Sequence, residues 1–189
     1  MKSYVMNVAG VQRELPFVDI SDELAFASFV VISDTELVSH VAPLLAEKIG
    51  ECEAIVTAEA KGIALAYAVS KELGLKKFIV ARKSEKSYMK DSIEIAVKSI
   101  TTSNVQHLFL DGTDMEEIRG KNVCIIDDVV STGDSLSAME HLVKKAGATV
   151  VKKACILAEG DAANRDDLIF LEKLPLFKKT GNGEYEVLE

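Results

Sequence analysis

The chain has 189 residues, with 22 Lys+Arg against 30 Asp+Glu, a formal net charge of −8 and 48% apolar residues. This length fits one domain with an ordinary core, and the apolar fraction excludes disorder as the default. The acidity excludes broad electrostatic binding to nucleic acid, which needs a basic footprint, but not a small polyanion held at one local site.

Residues 1–32 are mixed, with an apolar cluster at Leu15-Pro16-Phe17-Val18-Asp19-Ile20. Ser33 followed by Glu36 is a capping-box pattern. The stripe Leu37, Val41, Leu44, Leu45 and Ile49 predicts a helix that Pro43 weakens or kinks and Gly50 ends. Ala54 to Ala58 reads as a buried strand, Glu59-Ala60-Lys61-Gly62 as a break, Ile63 to Leu73 as a helix closed by Gly74, and Phe78 to Ala81 as a strand. This is a βαβ unit with a parallel pair. Arg82 to Asp91 is charged and aperiodic, an exposed mobile loop. Residues 92–99 alternate like a half-buried strand, with Val105 to Leu110 as hairpin partner and Asp111-Gly112 as a turn. Asn122 to Ile126 reads as a strand ending in Asp127-Asp128, followed by a small polar turn and a helix marked by Leu136, Met139, Leu142, Val143 and Ala146. Thr149 to Leu157 is the next strand, with Lys152-Lys153 read as a solvated strand end. Asn182-Gly183 suggests a small terminal hairpin. Alternating strands and helices predict an α/β fold with helices on the sheet faces.

The cysteines, Cys52, Cys124 and Cys155, are odd in number and form no C-x-x-C pair, which reads as reduced, buried thiols in a cytoplasmic protein. His40, His107 and His141 have no ligand spacing. Met1-Lys2-Ser3 leads into no signal-peptide core, and no segment has the ~18 apolar residues of a span, so no membrane partner is expected.

The stretch from Val123 to Leu136 (VCIIDDVVSTGDSL) carries the chemistry. A buried strand delivers two adjacent carboxylates to its C-terminal end, the edge where open α/β sheets bind ligands. A loop follows in which Ser131, Thr132 and Ser135 offer hydroxyls and Gly133 permits close backbone approach. A helix begins there, so free N–H groups and the positive dipole end face the same space, an anion cradle suited to a phosphate monoester. Asp127 and Asp128 would accept hydrogen bonds from vicinal hydroxyls beside it. A phosphorylated sugar fits both halves. The bland alternative is a strand end followed by an ordinary capped helix.

This stretch resembles the phosphoribosyl-pyrophosphate signature of type I phosphoribosyltransferases, with Asp134 where a second Gly is usual and Ser135 in place of Thr. Phe17-Val18-Asp19-Ile20, Glu59-Ala60-Lys61-Gly62-Ile63 and Arg82-Lys83 with Lys86 resemble, in order, three further segments of the adenine-specific group and its purine-specific relatives. The resemblance covers residues 15 to 177. It implies a Rossmann-like parallel-sheet core over about 33–160, a small hood from 1–32 and 161–189, and a mobile loop over 82–104, all in a single domain. It also implies transfer of a phosphoribosyl group from phosphoribosyl pyrophosphate to a nucleobase, with Mg²⁺ as cofactor and a homodimer as the assembly.

By this resemblance Asp127 and Asp128 are catalytic and hold the metal through water. Ser131, Thr132, Gly133, Asp134 and Ser135 bind the 5′-phosphate. Glu59, Ala60, Lys61, Gly62, Arg82, Lys83 and Lys86 bind pyrophosphate, and a cis peptide is implied in the 59–62 loop. Lys61 stands where Arg is usual, which keeps the charge but loses the bidentate fork. Lys86 reads equally as a solvated loop residue. Phe17, Val18 and Glu159 are the base-binding candidates, although Phe17 also fits a core position and Glu159 a surface one. Enzymes for 6-oxopurines usually carry Asp at the position of Ser131 and a Lys after the following strand, where this chain has Ala158-Glu159-Gly160. That leans toward adenine. Orotate, xanthine or another base, and a non-catalytic phosphoribosyl-pyrophosphate sensor, are the alternatives. The Gly133-Asp134-Ser135-Leu136 string spells a lipase motif, but no Asp-x-x-His partner follows.

Overall fold

The computed structural model describes residues 2–98 and 105–188. The last part of the expected 82–104 loop, residues 99–104, lies outside the described residues.

The core is a parallel sheet of β4 (Ala54–Ala58), β5 (Ile79–Ala81), β8 (Asn122–Val130), β9 (Thr149–Glu159) and β10 (Glu172–Leu174), in the order β10-β9-β8-β4-β5. Its central strands β4, β8 and β9 carry buried apolar runs because both faces are covered there. Alternate residues of β8 divide between the two sides. Cys124 and Ile126 join the buried cluster with α1 (Thr35–Ile49) and α2 (Ile63–Glu72). Val123 and Ile125 join the cluster with α4 (Asp134–Lys145) and the hairpin of β6 (Ile93–Lys98) and β7 (Val105–Leu110).

A second, antiparallel sheet runs β1 (Ser3–Val8), β2 (Val11–Asp19), β3 (Leu24–Ala27), β11 (Leu176–Lys179), β12 (Tyr185–Val187). Both ends of the chain therefore meet in one sheet. The β11–β12 pair is the hairpin that Asn182-Gly183 suggested. Met6, Leu15, Ala27 and Phe177 from this sheet enter the same buried cluster as α1 and α2. Among the described residues no helix is long and apolar enough to cross a membrane. All three cysteines are free thiols, Cys124 and Cys155 buried and Cys52 partly so.

The structure corrects several local readings. Asp34, not Ser33, caps α1: its carboxylate accepts the N–H of Leu37 at 3.0 Å and also pairs with Arg13 of β2. An acid has the advantage over a hydroxyl because it can cap the helix and take the guanidinium at once. α1 runs through Pro43, which lies on the exposed face of a helix held by seven buried residues, Leu37, Val38, Val41, Ala42, Leu45, Ala46 and Ile49, and it ends at Gly50 as expected. Asp111-Gly112 does not make a simple turn. It opens a short helix, α3 (Gly112–Ile118), which buries Ile118. Lys153 is not a solvated strand end. It lies inside β9, past a bulge opposite Val123/Cys124, and pairs with Glu140 at 2.6 Å and Asp167 at 2.9 Å.

Leu45→Ala, at a fully buried position of α1, is expected to cost about 2–5 kcal/mol in urea unfolding. The exposed Glu47→Ala is expected to stay within about 0.5 kcal/mol. A Leu45 loss no larger than that of the control would contradict the packing of α1 over the sheet.

Candidate active site

The sequence reading ends the central strand at the acid pair. The structure runs β8 four residues past Ile126, to Val130. The reason is that β9 extends just as far, pairing Asp127 with Cys155, Val129 with Leu157 and Val130 with Ala158. Asp127 and Asp128 therefore sit inside a hydrogen-bonded strand, with fixed backbones. Asp128 is 1% exposed. Asp127 is half-buried, and its Oδ1 accepts the N–H of Asp128 at 2.9 Å.

Burial first, and the negative charge of Asp128 second, push the Asp127 carboxyl up to about 7. One cation answers the pair. Lys61, from the turn after β4, places Nζ 2.8 Å from Asp128 Oδ2 while half of its side chain stays in water. The contact is at ion-pair distance but off hydrogen-bonding angle, so Asp128 Oδ2 is a buried oxygen without a hydrogen bond. Such an atom is costly to leave unpaired and favours a further polar partner.

The turn that carries Lys61 is shaped by two features. The Glu59–Ala60 peptide is cis, as the resemblance implied. Gly62 is buried against β4: a Cβ there would lie 2.2 Å from Thr57 Oγ1 and 3.5 Å from Asp127 Oδ1. Thr57 is itself wholly buried, and its hydroxyl has no hydrogen-bond partner. Sequence reasoning missed it because a Thr in an apolar strand carries no distinguishing signal.

Glu59 collects the other candidate pyrophosphate ligands. Its carboxylate stands 2.7 Å from Arg82 Nε and 3.7 Å from Lys86 Nζ, and accepts the backbone N–H of Lys83 at 2.9 Å. Arg82 in turn bridges Phe109 of β7 through paired backbone bonds of 2.9 and 2.8 Å. The structure thus brings Glu59, Arg82, Lys83 and Lys86 together on one side of the β4 turn, and Lys61 onto the acid pair.

The candidate anion loop, residues 131–135, follows β8 directly. Gly133 precedes α4 with φ +83°, a conformation that favours glycine. Asp134 is the first helical residue, where an acid complements the dipole. Its N–H reaches Thr132 Oγ1 at 3.4 Å. Ser131, Thr132 and Ser135 are exposed, and Gly133 and Asp134 partly so.

Glu159, at the end of β9, shares this pocket. Burial raises its carboxyl above the ordinary range, with Ser131 and Lys61 acting in the opposite direction. Phe17 lies elsewhere. Its ring stacks on Tyr185 at 4.0 Å and meets Phe177 edge-on at 4.8 Å, which favours its reading as a packing residue, while Val18 beside it is exposed. Arg165, absent from the sequence candidates, approaches Gly133 from beyond β9.

A family model described as a phosphoribosyl transferase domain matches residues 33–178. The chain belongs to the phosphoribosyltransferase family. A curated relative, the hypoxanthine/guanine phosphoribosyltransferase of Methanococcus voltae, is 33% identical over 140 residues, covering 74% of this chain and 71% of that one. Among solved structures, adenine phosphoribosyltransferase from Thermoanaerobacter pseudethanolicus matches with TM-score 0.64 and 19% identity, over 92% of this chain and 96% of that one. Adenine phosphoribosyl transferase from Trypanosoma brucei, solved with AMP, pyrophosphate and ribose-5-phosphate, matches with TM-score 0.62 and 19% identity, over 79% of this chain and 70% of that one. Identities this low establish the phosphoribosyltransferase fold and no more.

The donor set also fits a hard divalent cation. Among the described residues no three His, Cys, Asp or Glu side chains converge as a protein cage. Two adjacent carboxylates, one with a buried oxygen that meets Lys61 without a hydrogen bond, suit an ion that takes its remaining ligands from water and substrate, the habit of Mg²⁺.

Two expectations follow. The raised Asp127 carboxyl means that folding favours its protonated form. Its penalty is absent below the ordinary carboxyl value of 3.8, grows as pH rises towards about 7, and is complete above that. Asp127→Asn should therefore raise the melting temperature in EDTA at pH 8 and leave it nearly unchanged at pH 3.5; an equal difference at both pH values would contradict this. Gly62→Ala should destabilise the fold by more than the roughly 1 kcal/mol of an ordinary substitution, because the new Cβ collides with a buried Thr57. A fully stable Gly62→Ala protein would show that the turn does not need this approach.

Proposed function

We propose that this phosphoribosyltransferase moves the phosphoribosyl group of phosphoribosyl pyrophosphate to a purine base, releasing pyrophosphate and forming the nucleoside monophosphate. The observation that carries this reading is the assembly at one strand end of an acid pair, an anion loop and a cluster of cations.

Each part has a task. The 131–135 loop holds the 5′-phosphate with backbone N–H groups and hydroxyls, so that remote binding energy positions the reacting carbon. Asp127 and Asp128 orient the ribose hydroxyls, and their negative charge favours the positive charge that develops on the ribose ring. They would also hold Mg²⁺ through water. Bound there, the ion supplies charge compensation for the pyrophosphate. Lys61 exchanges the carboxylate of Asp128 for pyrophosphate, and Arg82 and Lys86 are within reach of the same leaving group. Glu159 on β9 would border the base.

Two observations divide over which purine. Ser131 in place of Asp, and the absence of Lys at 158–160, favour adenine. The sequence relatives at 32–37% identity bear the name hypoxanthine/guanine phosphoribosyltransferase. Sequence likeness at that level weighs more than fold likeness at 19%, so hypoxanthine and guanine are the first bases to assay and adenine the second.

Purified protein with Mg²⁺ and phosphoribosyl pyrophosphate is expected to convert one base of a panel containing adenine, hypoxanthine, guanine, xanthine and orotate. Binding of the sugar phosphate without turnover of any base would overturn the reading in favour of a sensor. Asp128→Asn is expected to lower kcat by about 10²-fold or more while the protein stays folded. Unchanged turnover would remove its assigned role.

A further inference from the structure

Arg165 follows a 3₁₀ turn, Gly160–Asn164, that leads out of β9 beside the anion loop. Its guanidinium makes two hydrogen bonds to Asp167, from Nε at 2.9 Å and from Nη2 at 3.0 Å. Neither uses Nη1. That corner lies 2.7 Å from where a Cβ on Gly133 would stand, with Cζ at 3.8 Å. The head group therefore occupies the space over the left-handed residue of the phosphate loop.

Three further observations give this placement a purpose. The loop Ser131-Thr132-Gly133-Asp134-Ser135 contains no basic residue and includes an acid, so it meets a dianionic phosphate with neutral donors alone. The guanidinium is held in place. Asp167 clamps it on two atoms, Lys153 pairs with Asp167 at 2.9 Å, and Glu140 of α4 pairs with Lys153 at 2.6 Å, which ties the clamp back to the helix that the loop opens. The side chain also remains 33% exposed, and Nη1 makes neither of the bonds to Asp167. A planar donor fork anchored by one carboxylate and offering its remaining corner is suited to phosphate oxygens.

We propose that Arg165 is a binding residue for the 5′-phosphate, its Nη1 donating to a phosphate oxygen seated in the 131–135 loop while Asp167 and Lys153 act as positioning residues. This rests on the reading of that loop as the 5′-phosphate site. It assigns Arg165 to the phosphorylated end of the ribose and leaves pyrophosphate to Lys61, Arg82 and Lys86. It also gives Gly133 a second requirement beyond its φ, since a side chain there would displace the guanidinium.

Calorimetric titration separates the outcomes. Wild-type protein is titrated with ribose 5-phosphate and, in parallel, with Mg-pyrophosphate. Arg165→Gln is expected to weaken ribose 5-phosphate by about tenfold or more. Pyrophosphate affinity should stay within about twofold, with an unchanged melting temperature. In turnover, KM for phosphoribosyl pyrophosphate should rise while KM for the base holds. Arg165→Lys should recover part of the loss, because it keeps the charge without the fork. Asp167→Asn, which leaves the arginine unclamped, should give a smaller loss. Equal ribose 5-phosphate affinity in wild type and Arg165→Gln would overturn the proposal and leave the loop reading standing. Parallel loss of both ligands and of stability would reduce Arg165 to a structural residue and also overturn it. Failure of the wild type to bind ribose 5-phosphate would overturn the loop reading itself.

Discussion

Two carboxylates stand at adjacent positions of a central strand between the apolar residues Val123–Ile126 and Val129–Val130, and Lys61 from the turn after β4 answers them. Burying a charge costs several kcal/mol unless it is paired. Asp128 meets that cost through Lys61 at 2.8 Å, and Asp127 meets it by holding its proton more tightly. Much of the local structure serves this arrangement. β9 extends to Glu159 so that β8 can carry both acids within its ladder. Gly62 lets the β4 turn press against Thr57 and so brings Lys61 within reach.

The same economy of charge explains how an acidic chain handles an anionic substrate. Three of the site's cations are already paired, Lys61 with Asp128 and Arg82 and Lys86 with Glu59. A pyrophosphate would exchange partners with carboxylates instead of meeting bare cations. The net −8 is therefore compatible with the proposed anion binding, because compensation would be confined to a few side chains and to backbone amides at 131–135. Glu159, its carboxyl raised by burial, is a further acid at the end of β9.

Legibility in the sequence followed distance along the chain. The run from Val123 to Leu136 displayed strand, acid pair, loop and helix in their true order, because each depends on neighbours a few residues away. The hairpin at 93–110 and the strand–helix–strand unit at 54–81 were legible for the same reason. Misreadings arose where a remote partner decided. Asp34 displaced Ser33 as the cap because Arg13 of β2 lies beside it. α3 formed because Ile118 found a buried site among β7, β8 and α4 residues. Lys153 was drawn from solvent by Glu140 and Asp167.

By itself the sequence determined the α/β alternation, the acid pair and the small, hydroxyl-rich loop after it, since periodicity and turn chemistry are local. Only the tertiary structure decided how long β8 runs, that Lys61 rests on Asp128, that Glu59 gathers Arg82 and Lys86, and that Arg165 leans over Gly133. The physical reason is that charge pairing acts through space. Lys61 and Asp128 belong to turns and strands far apart in the chain, and nothing in the spacing of either announces the other.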